Sequence, residues 1–326
     1  MSTVAALEDH FRRQPHDWAA WLVYGDHLSG QGDVRGELIR LEHQHATARL
    51  TAEERKKLAA DIAALIKEHR KAWSGSAPES VALQWEHGFI TGVRLSWTEE
   101  RGAALKTFLA SPESRLLRAL AVTRLGDDEG DEDFDEEDEE NFDEETGMPR
   151  RRFDAKAMTA ALEGVLALDL SRVLSLSFAY LGMRATGAKL LAGATGLTQL
   201  EHLDLRYNEL KDAGLKALCE AGFLPQLRSL HLQSNGLGAG GLKALAALDL
   251  PRLELLDLRH NALKSSGAKA LAAAKLVSKL TRLELQRDDV GAGGVKALAQ
   301  STVLPSPLRT LWKGLHATQP SAAEDE

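Results

Sequence analysis

Cysteine occurs once in the 326 residues, at Cys219. A single thiol cannot close an intrachain disulfide, so the disulfide-stapled class of small secreted folds is excluded and nothing points to an oxidising compartment. Long apolar runs are also missing. No stretch approaches the roughly 20 apolar residues that a membrane-spanning helix needs. Residues Met1–Trp18 alternate apolar positions with Glu8, Asp9, Arg12 and Arg13 and have no apolar core of signal-peptide length. No basic stripe interleaves with aromatics, the pattern that nucleic-acid binding would favour. These absences lead to the expectation of a soluble, cytoplasmic protein whose partner is neither a membrane nor a nucleic acid.

The formal net charge of −8 is unevenly distributed. Residues 127–145 hold 15 acidic side chains and no basic one, and without them the chain carries +7. Like charges at that density repel and do not bury, so a disordered insertion is expected over 127–152, ending in Arg150, Arg151 and Arg152. The run lacks the D-x-D-x-D-G and distal Glu spacing of a calcium loop. Its two large apolar residues, Phe134 and Phe142, offer anchors for contact with a basic partner or with the basic body of the chain.

What the chain has in abundance is leucine at a fixed period. Four segments share one frame: LEHLDLRYNELKDAGLKAL (200–218), LRSLHLQSNGLGAGGLKAL (227–245), LELLDLRHNALKSSGAKAL (253–271) and LTRLELQRDDVGAGGVKAL (280–298). Their central leucines, Leu203, Leu230, Leu256 and Leu283, are spaced by 27, 26 and 27 residues. Weaker copies extend the frame upstream through Val173, Leu176, Phe178, Met183 and Gly187, then Leu117, Leu120, Val122 and Leu125, then Val93 and Leu95. Downstream, Leu308 and Leu311 open a truncated unit, for eight strand positions in all. In LxxLxL the leucines alternate, which makes one face of a short strand apolar and leaves the other free. Gly214, Gly241, Gly267 and Gly294 each precede a small apolar helix that covers the buried face. One unit cannot bury its own leucines, so the units must stack, with parallel strands on a concave side and helices on a convex side. Asn208, Asn235 and Asn261 follow each strand, where an amide can satisfy backbone groups that no ladder bond reaches. Asp288 and Leu181 stand in the Asn position of two other units, which are expected to be less regular.

The pattern LxxLxLxxNxLxxxGxxxL at this period resembles the ribonuclease-inhibitor class of leucine-rich repeats over roughly residues 90–315. The resemblance implies an α/β solenoid, a horseshoe with an N-terminal all-helical cap, and a concave face that binds proteins. It also implies an alternative, because some repeats of this class regulate a nucleotide-hydrolysing partner such as a small GTPase.

Ahead of the repeats, Leu7, Phe11, Trp18, Trp21, Leu22 and Leu28, then Leu38 and Leu41, then Leu58, Ile62, Leu65 and Ile66, fall at helical intervals. Asp33 is placed to cap a helix starting near Val34, and Thr51 with Glu54 forms a capping-box signature. Asp33, Arg35 and Glu37 are read as capping and ion-pairing groups. The runs Pro15–Asp17, Tyr24–Asp26 and Gly32–Ile39 make residues 4–45 similar to the repeat-companion domain that precedes bacterial repeat arrays. Gly25 stands where that family usually has Ala, and His27 where it often has Trp. The expected organisation is a helical domain at 1–72, a capping segment and first strand at 73–98 with Trp73, Trp85, Phe89 and Trp97, a solenoid at 99–315, and a disordered tail at 316–326.

Strand residues between the leucines are free of core duty, and four columns of them run across the units. The first holds His202, Ser229, Leu255 and Arg282; the second Asp204, His231, Asp257, Glu284 and then Trp312; the third Arg206, Gln233, Arg259 and Gln286; the fourth Tyr207, Ser234, His260 and Arg287. Cross-strand ion pairing would satisfy part of this surface. A mixed-charge docking face with Tyr207 and Trp312 as anchors is the functional reading, since aromatic and Arg side chains dominate binding energy. Catalysis is not expected. His231 between Asp204 and Asp257 invites an acid–base role, but Ser234 lies in a different column. Gly236–Gly241 lacks the Lys-Ser/Thr of a phosphate loop. His43 and His45 are two apart on a helix and point to different sides, so no metal site is read there. Cys219 is expected to be a small buried thiol. The expected protein is a monomeric, cofactor-free, non-enzymatic scaffold, adaptor or inhibitor for a protein partner.

Overall fold

The spacing of Leu7, Phe11, Trp21 and Leu28 winds into two helices, α1 (Thr3–Arg13) and α2 (Trp18–Gly30), in the computed structural model, which describes residues 3–79, 81–125 and 155–317. The acidic insertion 127–152, with Phe134, Phe142 and Arg150–Arg152, and residues 318–326 of the tail lie outside the described residues. The chain divides into two units. One comprises residues 1–95, 100–121 and 172–174, and the other residues 96–99, 122–171 and 175–326.

In the first unit α3 (Arg35–Thr47) and α4 (Ala52–Ser74) follow, and the Thr51–Glu54 capping box closes the start of α4. Phe11, Trp21, Tyr24, Leu28, Ile39, Phe89 and Leu116 form the buried core, with Phe11 stacked on Trp21 at 3.8 Å. Burying each such side chain is worth about 1.5–3 kcal/mol. Val34, not Asp33, is the N-cap of α3 and makes no side-chain cap bond; Asp33, one residue ahead, accepts from the Arg35 backbone N–H at 3.0 Å while the Arg35 side chain grips the same carboxylate. Helices α2 and α3 cross where both lack side chains. A Cβ at Gly36 would lie 2.4 Å from the carbonyl oxygen of Gly25. The segment after α4 forms a hairpin, β1 (Ala82–Glu86) antiparallel to β2 (Phe89–Trp97), whose turn holds His87 and Gly88 at positive φ. The leucine frame marks only β2. The β1 strand carries no leucine signature, and the aromatic pair Trp85 and Phe89 belongs to this hairpin. Helix α5 (Glu99–Leu109) and strand β3 (Ala119–Leu125) come next.

In the second unit the repeats become strand–helix coils: α6 (Ala155–Leu166), β4 (Ser175–Ser177), α7 (Arg184–Ala192), β5 (His202–Asp204), α8 (Lys211–Leu218), β6 (Ser229–His231), α9 (Ala239–Ala246), β7 (Leu255–Asp257), α10 (Lys264–Ala272), β8 (Arg282–Glu284) and α11 (Arg287–Ala299). Strands β4 to β8 pair in parallel, with Leu176, Leu203, Leu230, Leu256 and Leu283 as register partners. This is the order the 26–27 residue spacing predicts, and those leucines are buried. No helix among the described residues is long and apolar enough to cross a membrane.

The eighth predicted strand does not form. Leu308 and Leu311 lie in helix α12 (Ser306–Ala317), which packs on α11. An LxxL spacing suits a helix face as well as a strand of the repeat, and Pro307 fits the first turn of a helix. Trp312, placed by its spacing in a surface column, is turned inward and 2% exposed.

Candidate functional site

Each strand supplies two outward positions, and the register lines them up. Ser175, His202, Ser229, Leu255 and Arg282 form one row, and Ser177, Asp204, His231, Asp257 and Glu284 the next. Ser175 and Ser177 extend the rows by one coil beyond the sequence reading. After β4, β5, β6 and β7 the chain turns through a left-handed residue, with φ of 65° at Tyr180, 56° at Tyr207, 52° at Ser234 and 56° at His260. For non-glycine residues that conformation costs about 1–2 kcal/mol. It is held because each N–H reaches the next coil: Tyr180 to the Arg206 carbonyl at 2.9 Å, Tyr207 to Gln233 at 3.0 Å and Ser234 to Arg259 at 3.0 Å.

The next residue along, Asn208, Asn235 or Asn261, is buried and holds the turn. Asn235 Oδ1 accepts from the backbone of Asn208 at 3.1 Å and of Leu210 at 3.4 Å, while its Nδ2 donates to the carbonyls of Leu205 at 2.8 Å and Leu232 at 3.0 Å. Asn208 and Asn261 repeat the arrangement one coil away on either side. The last coil departs from it. Asp289, not Asp288, accepts from the His260 N–H at 2.9 Å, and α11 starts at Arg287. Arg287 therefore belongs to a helix and not to the fourth column, which ends at His260. Burial holds the Asp289 carboxyl above its ordinary range despite the N–H groups of Gln286 and His260 that face it.

The arginines of the charged columns pair within a coil, and His231 adds a cross-strand contact to Asp257. Arg206 grips Asp204 through Nε at 2.9 Å and Nη2 at 2.7 Å, and Arg259 grips Asp257 at the same two distances. In both clasps the Arg backbone N–H also donates to the carboxylate. Burial opposes ionisation of both carboxyls, yet both lie below the ordinary range. Arg206 outweighs burial at Asp204, and His231 and Arg259 do so at Asp257. Asp257 is 1% exposed as a side chain and Asp204 19%, while both arginines are 39% exposed. Arg282 and Glu284 pair at 2.7 Å in the outermost coil. Gln286 reaches His260 at 3.1 Å, and Gln233 donates to the Tyr207 hydroxyl at 3.0 Å.

Beside these, Tyr180 stacks on Tyr207 with ring centroids 4.3 Å apart and planes 11° off parallel, and Tyr180 is 47% exposed. Tyr207 stands in the fourth column, and Tyr180 stands one 27-residue period earlier, outside the columns predicted from the repeats. At the start of the strands Glu201 receives Arg228 at 3.1 Å and Arg252 at 3.3 Å, a network outside the four columns.

No catalytic geometry emerges from these groups. His231 stands 3.7 Å from Asp257, with no serine hydrogen-bonded to it among the described residues. A ring nitrogen of His202 lies 2.9 Å from Ser229 Oγ, but no carboxylate is hydrogen-bonded to the same ring among the described residues, so the orienting third group of a triad is missing there. Burial lowers the His202 pKa. The glycines of Gly236–Gly241 make room for a carboxylate of the protein itself. Asp212 accepts from the Gly238 N–H at 2.7 Å, and a Cβ at Gly240 would lie 2.5 Å from it. Cys219 ends α8 half-buried, and burial pushes its thiol up to about 11, which leaves it unreactive at neutral pH. Among the described residues no cluster of three or more His, Cys, Asp or Glu side chains is placed to hold a metal.

A family model described as Leucine Rich repeat matches residues 196–219, 224–246 and 251–272. These coils are leucine-rich repeats. The three matched stretches bracket β5, β6 and β7 with their helices, where the Asn-held turns are regular. No curated protein matches the chain. Leucine-rich repeats are as a rule binding modules, and no enzyme family matches.

Proposed function

We propose that the strand-side face of the leucine-rich repeats docks a protein partner, with Tyr180 and Tyr207 as its anchor, and that the protein is a scaffold, adaptor or inhibitor. The stacked, half-exposed tyrosine pair carries this reading. A soluble fold has little reason to hold two aromatic rings face to face on left-handed backbone at its surface. Binding surfaces favour such rigid amphipathic anchors, because ordering them costs little entropy. Around the pair, His202, Asp204, Arg206, His231, Gln233, Arg259, His260, Arg282, Glu284 and Gln286 supply a polar field, while Asp257 acts from below by holding Arg259. The similarity of residues 4–45 to the repeat-companion domain supports reading the first unit as a partner domain of the array.

The test is affinity capture with the full chain from extracts of its source cells, beside Tyr180→Ala, Tyr180→Ala/His260→Ala and a helix-side control, Ala213→Asp. A protein retained by wild type and the control, and lost at least tenfold by the double variant, bears the proposal out. Equal retention by all four would sink it.

A further inference from the structure

The helix side of the repeats carries a second surface, built from one lysine per coil. Lys189, Lys216, Lys243, Lys269 and Lys296 recur at spacings of 27, 27, 26 and 27 residues. Each sits in the last turn of its helix, α7 to α11, and each is exposed. Those helices pack side by side in chain order, about 8–10 Å apart as packed helices are. The lysines thus form a single file of positive charge. None of the five makes an ion pair with a described residue, whereas Lys275, Arg228 and Arg252 each do.

A cation in the last turn complements the helix dipole, which accounts for any one of these lysines taken alone. It does not account for the file. Like charges aligned on neighbouring helices repel, and a carboxylate at alternate coils would relieve them. The position accepts one. By burial pattern Glu163 of α6 is the counterpart of Lys189, since Ala161–Val165 and Gly187–Leu191 share the same order of buried and exposed residues. From α7 onward the sign never alternates.

We infer that this lysine file is the docking surface for the chain's own acidic run, residues 127–145. The run has 15 carboxylates and no cation, the complement of a file whose five ammonium groups form no ion pair with a described residue; Asp212, the carboxylate beside Lys216, is committed to the Gly238 N–H at 2.7 Å. It also ends in the right place. The described chain resumes at Ala155, the first residue of α6, and α6 packs against α7, which bears Lys189. Glu145 is ten residues from Ala155, and ten extended residues reach about 33–36 Å. That span covers about three helix spacings, far enough for Lys189, Lys216 and Lys243. Between α6 and α7 lies an open groove of about 700 Å³ lined by Leu166, Ala167 and Leu190 beside Glu163 and Lys189. It offers an apolar seat for Phe134 or Phe142, the large apolar residues of the run. The inference concerns the helix side and stands apart from docking on the strand side.

Two measurements on the full chain test it. Carbodiimide joins amines to carboxylates in direct contact, so at low salt the monomer band should yield cross-links from Lys189, Lys216 or Lys243 to carboxylates within 127–145, and these should vanish at about 1 M salt, where the Debye length falls to about 3 Å. Cleavage within 127–145 by a glutamate-specific protease should be at least fivefold faster in Lys189→Gln/Lys216→Gln/Lys243→Gln than in wild type at low salt, and equal in the two at high salt. An unchanged melting temperature in that variant shows that the fold is intact. Cross-links confined to a dimer band, cross-links only to other carboxylates, or equal cleavage of variant and wild type at low salt would each overturn the inference.

Discussion

Replacing Asn235 should damage the repeat unit more than its size suggests. The side chain is 0% exposed and serves five backbone groups of its own and the neighbouring turn. Asn235→Ala leaves the N–H of Asn208 and the carbonyl of Leu205 without their partners, and weakens the hold on Leu210. Each buried group so orphaned costs about 1–3 kcal/mol, so a loss of about 3–5 kcal/mol is expected. Asn235→Asp keeps the acceptor, loses the donor and adds a buried charge. The new carboxyl should have a raised folded pKa, like Asp289 in the corresponding turn. A raised acid favours the protonated folded state, so Asn235→Asp should gain stability relative to wild type as pH falls from 7 to 5. Urea unfolding followed by helical circular dichroism reads both effects. With a slope of about 2 kcal/mol per molar urea, Asn235→Ala should lower the midpoint by about 1.5–2.5 M. A shift under about 0.5 M would show that the Asn row is incidental, and a pH-independent deficit in Asn235→Asp would show that its charge is solvated.

In the first unit, two substitutions at one helix crossing should have opposite signs. A Cβ at Gly25 meets nothing nearer than 3.4 Å, so Gly25→Ala should stabilise α2 by about 0.5–1 kcal/mol, whereas one at Gly36 would meet Ser29 Oγ at 2.2 Å, so Gly36→Ala should cost about 2–3 kcal/mol. Trp fluorescence during urea unfolding distinguishes them, and equal shifts would refute the close crossing. Trp312→Ala should cost about 3–5 kcal/mol by opening the core under α12, but Trp312→Phe much less, because the buried indole N–H has no hydrogen-bond partner among the described residues; thermal melts that find the two alike would count against the packing described. The Asp204 and Asp257 carboxyls are depressed in the folded state, so the stability they contribute is complete above the ordinary carboxylate value of 3.8 and is lost as pH falls through their lower folded values. Asp204→Asn should flatten acid unfolding below pH 4, and an unchanged acid limb would show that the clasp contributes nothing.

Much of the second unit was legible because its rule is local and repeated. Leucine at every second strand position, with an Asn and a Gly at set offsets, defines strand, turn and helix, and the period alone defines which leucines pair. What escaped lies where that rule is shared with another structure or broken by one residue. Leu308 and Leu311 satisfy a helix as well as a strand, and only the packing of α12 decides between them. Asp288 holds the spacing of the Asn, but Asp289 takes its bonds once the turn tightens into α11. Tyr180 is hidden in the sequence because its coil has Leu181 in place of the Asn that marks the turn in the later coils. The direction of ion pairing was hidden for another reason. Residues two apart on a strand share a face, and so do register partners across strands, and charge identity cannot choose between them. The choice falls to the Asp-x-Arg order, which lets the arginine backbone N–H and side chain converge on one carboxylate.

That order also determines how the proposed docking face can be probed. Each clasp is nearly neutral as a whole, so it adds little long-range attraction, and the expected contribution of Arg206 and Arg259 is short-range. With Nε and Nη2 committed to the aspartate, each guanidinium is held in a fixed orientation and leaves Nη1 outside the clasp, where the proposed partner would supply an acceptor. Truncating Arg259 would remove that donor and also take from Asp257, a carboxylate with 1% of its side chain exposed, its guanidinium partner, leaving it His231 and the backbone N–H at position 259. Lost binding in such a variant would confound surface with fold. Tyr180 is free of this coupling, because its ring lies on the surface and its backbone bond to Arg206 survives truncation. A binding defect in Tyr180→Ala with an unchanged melting temperature therefore reports on the face itself, and a melting temperature that falls with it would show that the stacked pair is part of the scaffold.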